Sequence, residues 1–255
     1  MPQRMPPRVF GLIAIVILAA AALACSPSGP SITGVQTSTV APSASENTLV
    51  GICHRTTSGA FEYLSIPSST AATHLAHGDA LPGHFVPGNT SARFDSACLA
   101  TAVLSETITF KDQTTSGTPF TTMEEGGFRI TALSGPWQAF ATYGSPAPMI
   151  QMPRPASSND LVGEIDVHAK EGLFAFTSVD LYSSITPIPY TIRGRLGAVD
   201  VLVMTGTVPN TFGKLAKVAN PNSPVMVDSL VITITNPAST CCGNPVGIDN
   251  IALKR

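Results

Sequence analysis

Charge is scarce in this chain of 255 residues. Asp, Glu, Lys and Arg together make up 12% of it, about half the usual share. Long amphipathic helices need charged outer faces, so a helical bundle is excluded. Sixteen acidic residues against fourteen basic ones leave a net charge of −2, and that excludes a global basic field for nucleic acid. Aromatic residues are few, with a single Trp. Catalytic signatures are missing as well. There is no Gly-x-Ser-x-Gly elbow, no His-Glu-x-x-His pair and no phosphate-binding loop, so the chain reads as a non-enzyme. What it has in quantity is turn residues, with 21 Gly and 22 Pro. That composition suits many short strands joined by turns.

The first residues read as an address. Arg4 and Arg8 precede an uncharged, apolar run from Val9 to Ala24, too short for a span that needs about 20 residues. Ala22-Leu23-Ala24-Cys25 resembles a bacterial lipobox, which implies cleavage after residue 24 and lipidation of Cys25. The five cysteines agree, because removing Cys25 leaves an even set of Cys53, Cys98, Cys241 and Cys242. The expected product is an exported lipoprotein held on the cell envelope by an N-terminal lipid, with free secretion as the alternative. Export makes disulfides permissible. Residues 25–48 are rich in Ser, Thr, Pro and Ala with no hydrophobic period, and read as a tether.

Two modules follow. Residues 49–104 form a small one. Val50 and Ile52 alternate, Phe61–Ile66 reads as a strand stopped by Pro67, and Ser68-Ser69-Thr70 stands as a cap for a short helix from Ala71 to His77, ended by Gly78. So few residues need a staple, which Cys53 and Cys98 can supply. Residues 105–255 carry nine strand-like runs: 107–110, 128–133, 137–142, 163–169, 173–182, 190–196, 199–207, 225–235 and 247–253. Turn residues separate them, and no convincing helix lies between them. The fold class is all-β, an antiparallel sandwich. Phe174 and Phe176, and Val199, Val201 and Val203, alternate as core-facing sets.

Three groups concentrate chemistry. His74 and His77 lie three apart, so a helix would place them on one face. With Asp79, Cys53 or Cys98 they could ligate Zn²⁺. The structural reading has His54, Arg55 and Asp79 bonding loop backbone while Cys53 and Cys98 form a disulfide, and it is preferred in an oxidising compartment. Cys241-Cys242 can close a vicinal disulfide, or each can pair elsewhere, for instance with Cys53 and Cys98. Trp137, Phe140 and Tyr143 could form a stacking platform for the C–H faces of sugars, with Trp137 and Tyr143 as ligand-binding residues. A lone Trp in a sandwich is otherwise core. Of the carboxylate pairs, Glu124-Glu125 reads as a turn pair, and Glu164 with Asp166 as surface alternation.

Two resemblances accompany these residues. Ile52-Cys53-His54-Arg55 followed by His74-Leu75-Ala76-His77-Gly78-Asp79 resembles a Cys-His-Arg…His-Leu-x-His-Gly-Asp segment of exported bacterial proteins of uncharacterised function. It implies no activity. Thr107-Ile108-Thr109-Phe110, Phe176–Tyr182 and Gly247-Ile248-Asp249-Asn250-Ile251 resemble the framing and internal strands of bacterial extracellular jelly-roll domains. Those include carbohydrate-binding-like sandwiches and surface proteins with a C-terminal sorting tail. The chain ends at Lys254-Arg255 without such a tail, so anchoring falls to Cys25. The second resemblance implies a jelly-roll-like sandwich and a structural Ca²⁺ held by Asp249 with Glu106 or Asp112. The expected function is non-catalytic binding or display at the cell surface, with a glycan or a surface protein as partner. The alternatives are a purely structural surface component and a secreted hydrolase.

Overall fold

The computed structural model describes residues 48–255 apart from 154–158, 223 and 239–242. Cys25, Cys241 and Cys242, and the readings placed on them, lie outside the described residues. Glu46–Arg255 forms one compact unit.

The described residues begin with an antiparallel hairpin of β1 (Leu49–Arg55) and β2 (Phe61–Pro67). A 3₁₀ turn over Ser68–Thr70 leads into α1 (Ala71–Ala76). Thr70 does not cap the helix. Its hydroxyl donates to the Pro67 carbonyl at 2.8 Å instead. The helix stops where expected, at Gly78 with φ +93°, a conformation glycine adopts without steric cost. Three short strands, β3 (Phe85–Val86), β4 (Asn89–Phe94) and β5 (Ala100–Ala102), complete the module. The Cys53–Cys98 disulfide, with a Cα–Cα distance of 5.3 Å, closes a core of Cys53, Ala80, Phe94 and Cys98, against which Phe61 and Val86 pack.

The remainder is a jelly-roll-like antiparallel sandwich. One sheet has six strands. Its members are β7 (Thr122–Glu125), β8 (Phe128–Ser134), β11 (Leu161–Ala169), β13 (Ile188–Leu196), β14 (Val199–Val208) and β17 (Ser229–Asn236), in the order β14-β13-β17-β11-β8-β7. The other sheet runs β15-β12-β18-β10-β9, built from β9 (Gln138–Phe140), β10 (Met149–Met152), β12 (Phe174–Ser183), β15 (Leu215–Ala219) and β18 (Val246–Lys254). Two further strands join it, β6 (Ser105–Ile108) on β18 and β16 (Met226–Val227) on β12.

Period-two alternation builds the core. In β11, Ile165 and Val167 point inward into the core that also holds Ile232, Phe174, Ile150 and Ile248. Val199, Val201 and Val203 do the reverse of what their alternation suggests. They are exposed, while Leu202 and Val208 of the same strand are buried. The strand is apolar on both faces and lies at a sheet edge, so its pattern alone does not say which face is covered. The run read as one strand over 225–235 is two, because the chain passes from one sheet to the other at Asp228. The Asp228 carboxylate accepts from Gly197 N–H at 2.6 Å, and its own N–H donates to Arg195 O at 2.8 Å.

Candidate functional site

Among the described residues, two places combine polar side chains with access from solvent. The first is in the small module. Cys53 and Ala80 exchange backbone hydrogen bonds of 2.7 and 3.1 Å, which sets Asp79 beside β1. His54 comes from β1 and His74 from α1. The Nδ1 atom of each lies 2.9 Å from the same oxygen, Asp79 Oδ2. Asp79 Oδ1 accepts from Arg55 N–H at 2.7 Å. The Asp79 side chain is 2% exposed, against 44% for His54 and 29% for His74. Burial pushes the carboxyl pKa up, but the hydrogen bonds from Arg55, His54 and His74 outweigh it and hold the value down at about 2. An ionised carboxylate only accepts, so both imidazoles present an N–H at Nδ1.

The expected pairing of His74 with His77 does not form. His77 is the exposed C-cap of α1, outside the helix proper, and His54, from 20 residues upstream, takes its place. Cys53 and Cys98 are bonded to each other, which removes both as thiolate ligands.

The second place is a cleft of about 440 Å³ at one end of the seven-stranded sheet, lined by Tyr143, Ser145, Asp180, Lys214, Leu215 and Lys217. Tyr143 stacks on Phe140 with centroids 5.7 Å apart and an interplanar angle of 18°, and tilts onto Tyr182 at 5.1 Å. Its hydroxyl donates to Gly213 O. Burial, and then Tyr182, push its pKa up, so the ring stays a neutral phenol. The turn that the Tyr143 hydroxyl reaches is pinned to β12. Thr211 N–H and Oγ1–H both donate to Ser183 O at 2.9 Å. Phe212 and Gly213 then take φ values of +44° and +84°. This unusual backbone pushes Phe212 outward to 81% exposure. Sequence reasoning missed Phe212, since nothing in Asn210-Thr211-Phe212-Gly213 says that the ring points outward.

Asp180 of β12 sits opposite Lys217 of β15. Its Oδ2 accepts from Asn250 Nδ2 at 3.0 Å. Asn250 also donates to Ser145 O at 2.7 Å, and Ser145 N–H donates to Asp249 Oδ2 at 2.8 Å. Asp249 is fully buried. Burial drives its pKa up to about 6, against the hydrogen bonds from Ser145 and Asn250 and with help from the charges of Asp180 and Glu125.

The expected Ca²⁺ pair is not assembled. Glu106 lies opposite Leu253, four residues from Asp249 and therefore about 13 Å along the strand. Arg255 Nε donates to Glu106 at 2.6 Å, and Gly127 N–H donates at 3.2 Å. Asp112 is exposed. The oxygens of Asp249 face N–H donors rather than an open cavity. Trp137 is 2% exposed, its ring over Gly163 beside Met152, so it is core and not a stacking surface. Glu124 and Glu125 lie on β7 and not in a turn. Glu125 faces in and accepts from Thr109 and Phe110, while Glu124 faces out to Lys170 and Arg129. Glu164 accepts from Thr233 Oγ1 at 2.9 Å. The Phe and Tyr residues of the six-stranded sheet, Phe128 and Tyr190, pack on the core, so among the described residues its outer face bears no Phe, Tyr or Trp ring.

No family model matches the sequence, and no curated protein matches it. Solved structures with partial likeness include carbohydrate-binding modules. A family 61 module in complex with β-1,4-galactotriose is 10% identical, with 51% of this chain and 89% of that one covered and a TM-score of 0.34. A family 29 module complexed with mannohexaose is 13% identical, covering 60% and 93%, with a TM-score of 0.35. A family 29 module from Piromyces equi is 12% identical, covering 60% and 91%, with a TM-score of 0.35. Likeness at this level assigns no ligand to the present chain.

Proposed function

We propose that this protein is an exported lipoprotein, anchored on the cell envelope through Cys25, whose sandwich binds glycan without catalysis in the cleft lined by Tyr143 and Lys214, next to Phe212. One observation carries the binding reading: Phe212, 81% exposed, stands on a pinned turn beside a polar cleft. A ring held out of the core forgoes roughly 2 kcal/mol of burial. Rings presented this way pack against the C–H faces of sugars, while the Ser145 hydroxyl and the ammonium groups of Lys214 and Lys217 offer hydrogen-bond partners to sugar hydroxyls. The non-catalytic reading rests on the carboxylates. A glycosidase flanks the scissile bond with two of them. Here Asp180 lines the cleft, whereas Asp249 is buried and hydrogen-bonded. The buried Trp137 and an outer face of the six-stranded sheet without Phe, Tyr or Trp among the described residues favour the second reading, a structural surface component with no small ligand.

Affinity electrophoresis and calorimetry against a panel of soluble polysaccharides test the binding reading. At least one polysaccharide should retard the wild type. Phe212→Ala should weaken that binding about tenfold or more, because a stacking ring contributes on the order of 1–2 kcal/mol, and its melting temperature should stay unchanged. A wild type that binds nothing, or a Phe212→Ala variant that binds equally well, leaves the structural reading. Anchoring has its own test. Radiolabelled palmitate should enter the wild type and not Cys25→Ser, and equal labelling of both rejects it.

A further inference from the structure

We propose that His54, His74 and Asp79 form a binding site for one divalent transition-metal ion of the Zn²⁺ class. Their three donor atoms lie within 4.8 Å of one another, and among the described residues this is the one group of three or more His, Cys, Asp or Glu side chains so arranged. Two imidazoles and one carboxylate suit Zn²⁺, Cu²⁺ or Ni²⁺. Mg²⁺ and Ca²⁺ call for oxygen ligands.

The donors come from three separate parts of the module and are held there by it. His54 follows Cys53, whose disulfide to Cys98 fixes β1. His74 sits on α1. Asp79 is set by the backbone pairing of Cys53 with Ala80. Arg55 N–H occupies Asp79 Oδ1 at 2.7 Å, which stops the carboxylate from turning and leaves Oδ2 as a single aimed donor. The two Nδ1 atoms already face that oxygen at 2.9 Å. Bonds of about 2.0–2.1 Å around a tetrahedral ion need donor separations of roughly 3.3 Å, a few tenths of an ångström wider than the two Nδ1–Oδ2 distances, and the three donors already lie within 4.8 Å of one another. Half-exposed imidazoles around a buried carboxylate also leave the ion a path from solvent.

Without metal, each Nδ1–H donates to Oδ2. With metal, each ring carries its proton on Nε2 and turns the Nδ1 lone pair to the ion, so neutral rings exchange one tautomer for the other with no net proton change. Three protein ligands leave one position for water or a partner group, as in open zinc sites.

The test titrates the purified full chain with ZnCl₂ by calorimetry and with CoCl₂ by visible absorption. One ion per chain should bind, with the intense d–d bands of four-coordinate Co²⁺ and no displacement by excess Mg²⁺ or Ca²⁺. His54→Ala and His74→Ala should each weaken binding about tenfold or more. His77→Ala, which removes an exposed histidine outside the cluster, should change nothing. His54→Asn and His74→Asn keep a donor for Asp79 and lose the imidazole, so they should retain the melting temperature and still lose the metal. Absence of binding at 100-fold excess zinc over protein, roughly millimolar, overturns the proposal. So does binding that survives in the His54→Asn/His74→Asn double variant.

Discussion

Asp79 shows how much one buried carboxylate can organise. It accepts from a backbone N–H and two imidazoles, and these bonds, acting against its burial, hold its pKa at about 2 instead of 3.8. A carboxyl with a lower pKa in the folded state stabilises the fold above its unfolded value, and that contribution fades as pH falls through the folded value. Asp79→Asn should therefore cost roughly 2 kcal/mol at pH 7, and the gap from wild type should close between about pH 4 and pH 2. Urea denaturation of both proteins at pH 7, 4 and 2 measures this. A gap that stays constant over that range would show that the charge of Asp79 does not contribute. Asp249 has the opposite sign. Its pKa rises to about 6, so its cost is absent below about pH 4 and complete above about pH 6. The two trends together place the stability contributed by these groups at a maximum in mildly acidic solution. Asp79 stood out in the sequence as the end of a His-Gly-Asp run. His54 did not pair with it there, because only the fold brings β1 to the end of α1.

At the scale of elements, strands rich in apolar and β-branched residues were legible and those with few of them were not. Phe174–Ser183 and Leu161–Ala169 contain clear runs and are strands. Three strands carry little signal: Thr122–Glu125 with its two glutamates, Met149–Met152 between prolines, and Leu215–Ala219 with a mid-strand lysine. Each is completed by its partners across the sheet rather than by its own propensity. A glycine marks the tightest approach. Gly163 of β11 lies under the Trp137 ring, and a Cβ there would meet Met152 Sδ and sit 2.8 Å from Trp137 Cζ2. Gly163→Ala should destabilise the sandwich by about 1–3 kcal/mol through overpacking, although alanine alone would favour a strand over glycine. Urea unfolding followed by the fluorescence of the single Trp reports it directly. Unchanged or raised stability would mean that the packing around Trp137 yields easily.

At the scale of the molecule, the buried hydrophobic residues among those described form two separate cores. One unites both sheets of the sandwich, and the other is the small cluster around Cys53 and Cys98. The modules nevertheless touch, through paired backbone bonds between Leu104 and Arg255 of 2.7 and 2.9 Å, and through Arg93, which reaches Leu173 O at 3.4 Å. Composition and period-two patterning determined the all-β class, the antiparallel sandwich and the stapled module before it, because few charges, many turn residues and alternating apolar runs admit little else. The cysteine spacing suggested the Cys53–Cys98 staple but could not choose among pairings. Tertiary structure alone decided which faces are covered: Val199, Val201 and Val203 look out, Trp137 looks in, and Phe212 stands free. It also decided which distant groups meet, pairing His54 with His74 on Asp79 and Glu106 with Arg255. The reason is physical. Alternation is a local property of one strand, whereas burial and hydrogen-bond partnership depend on what the rest of the chain lays against it.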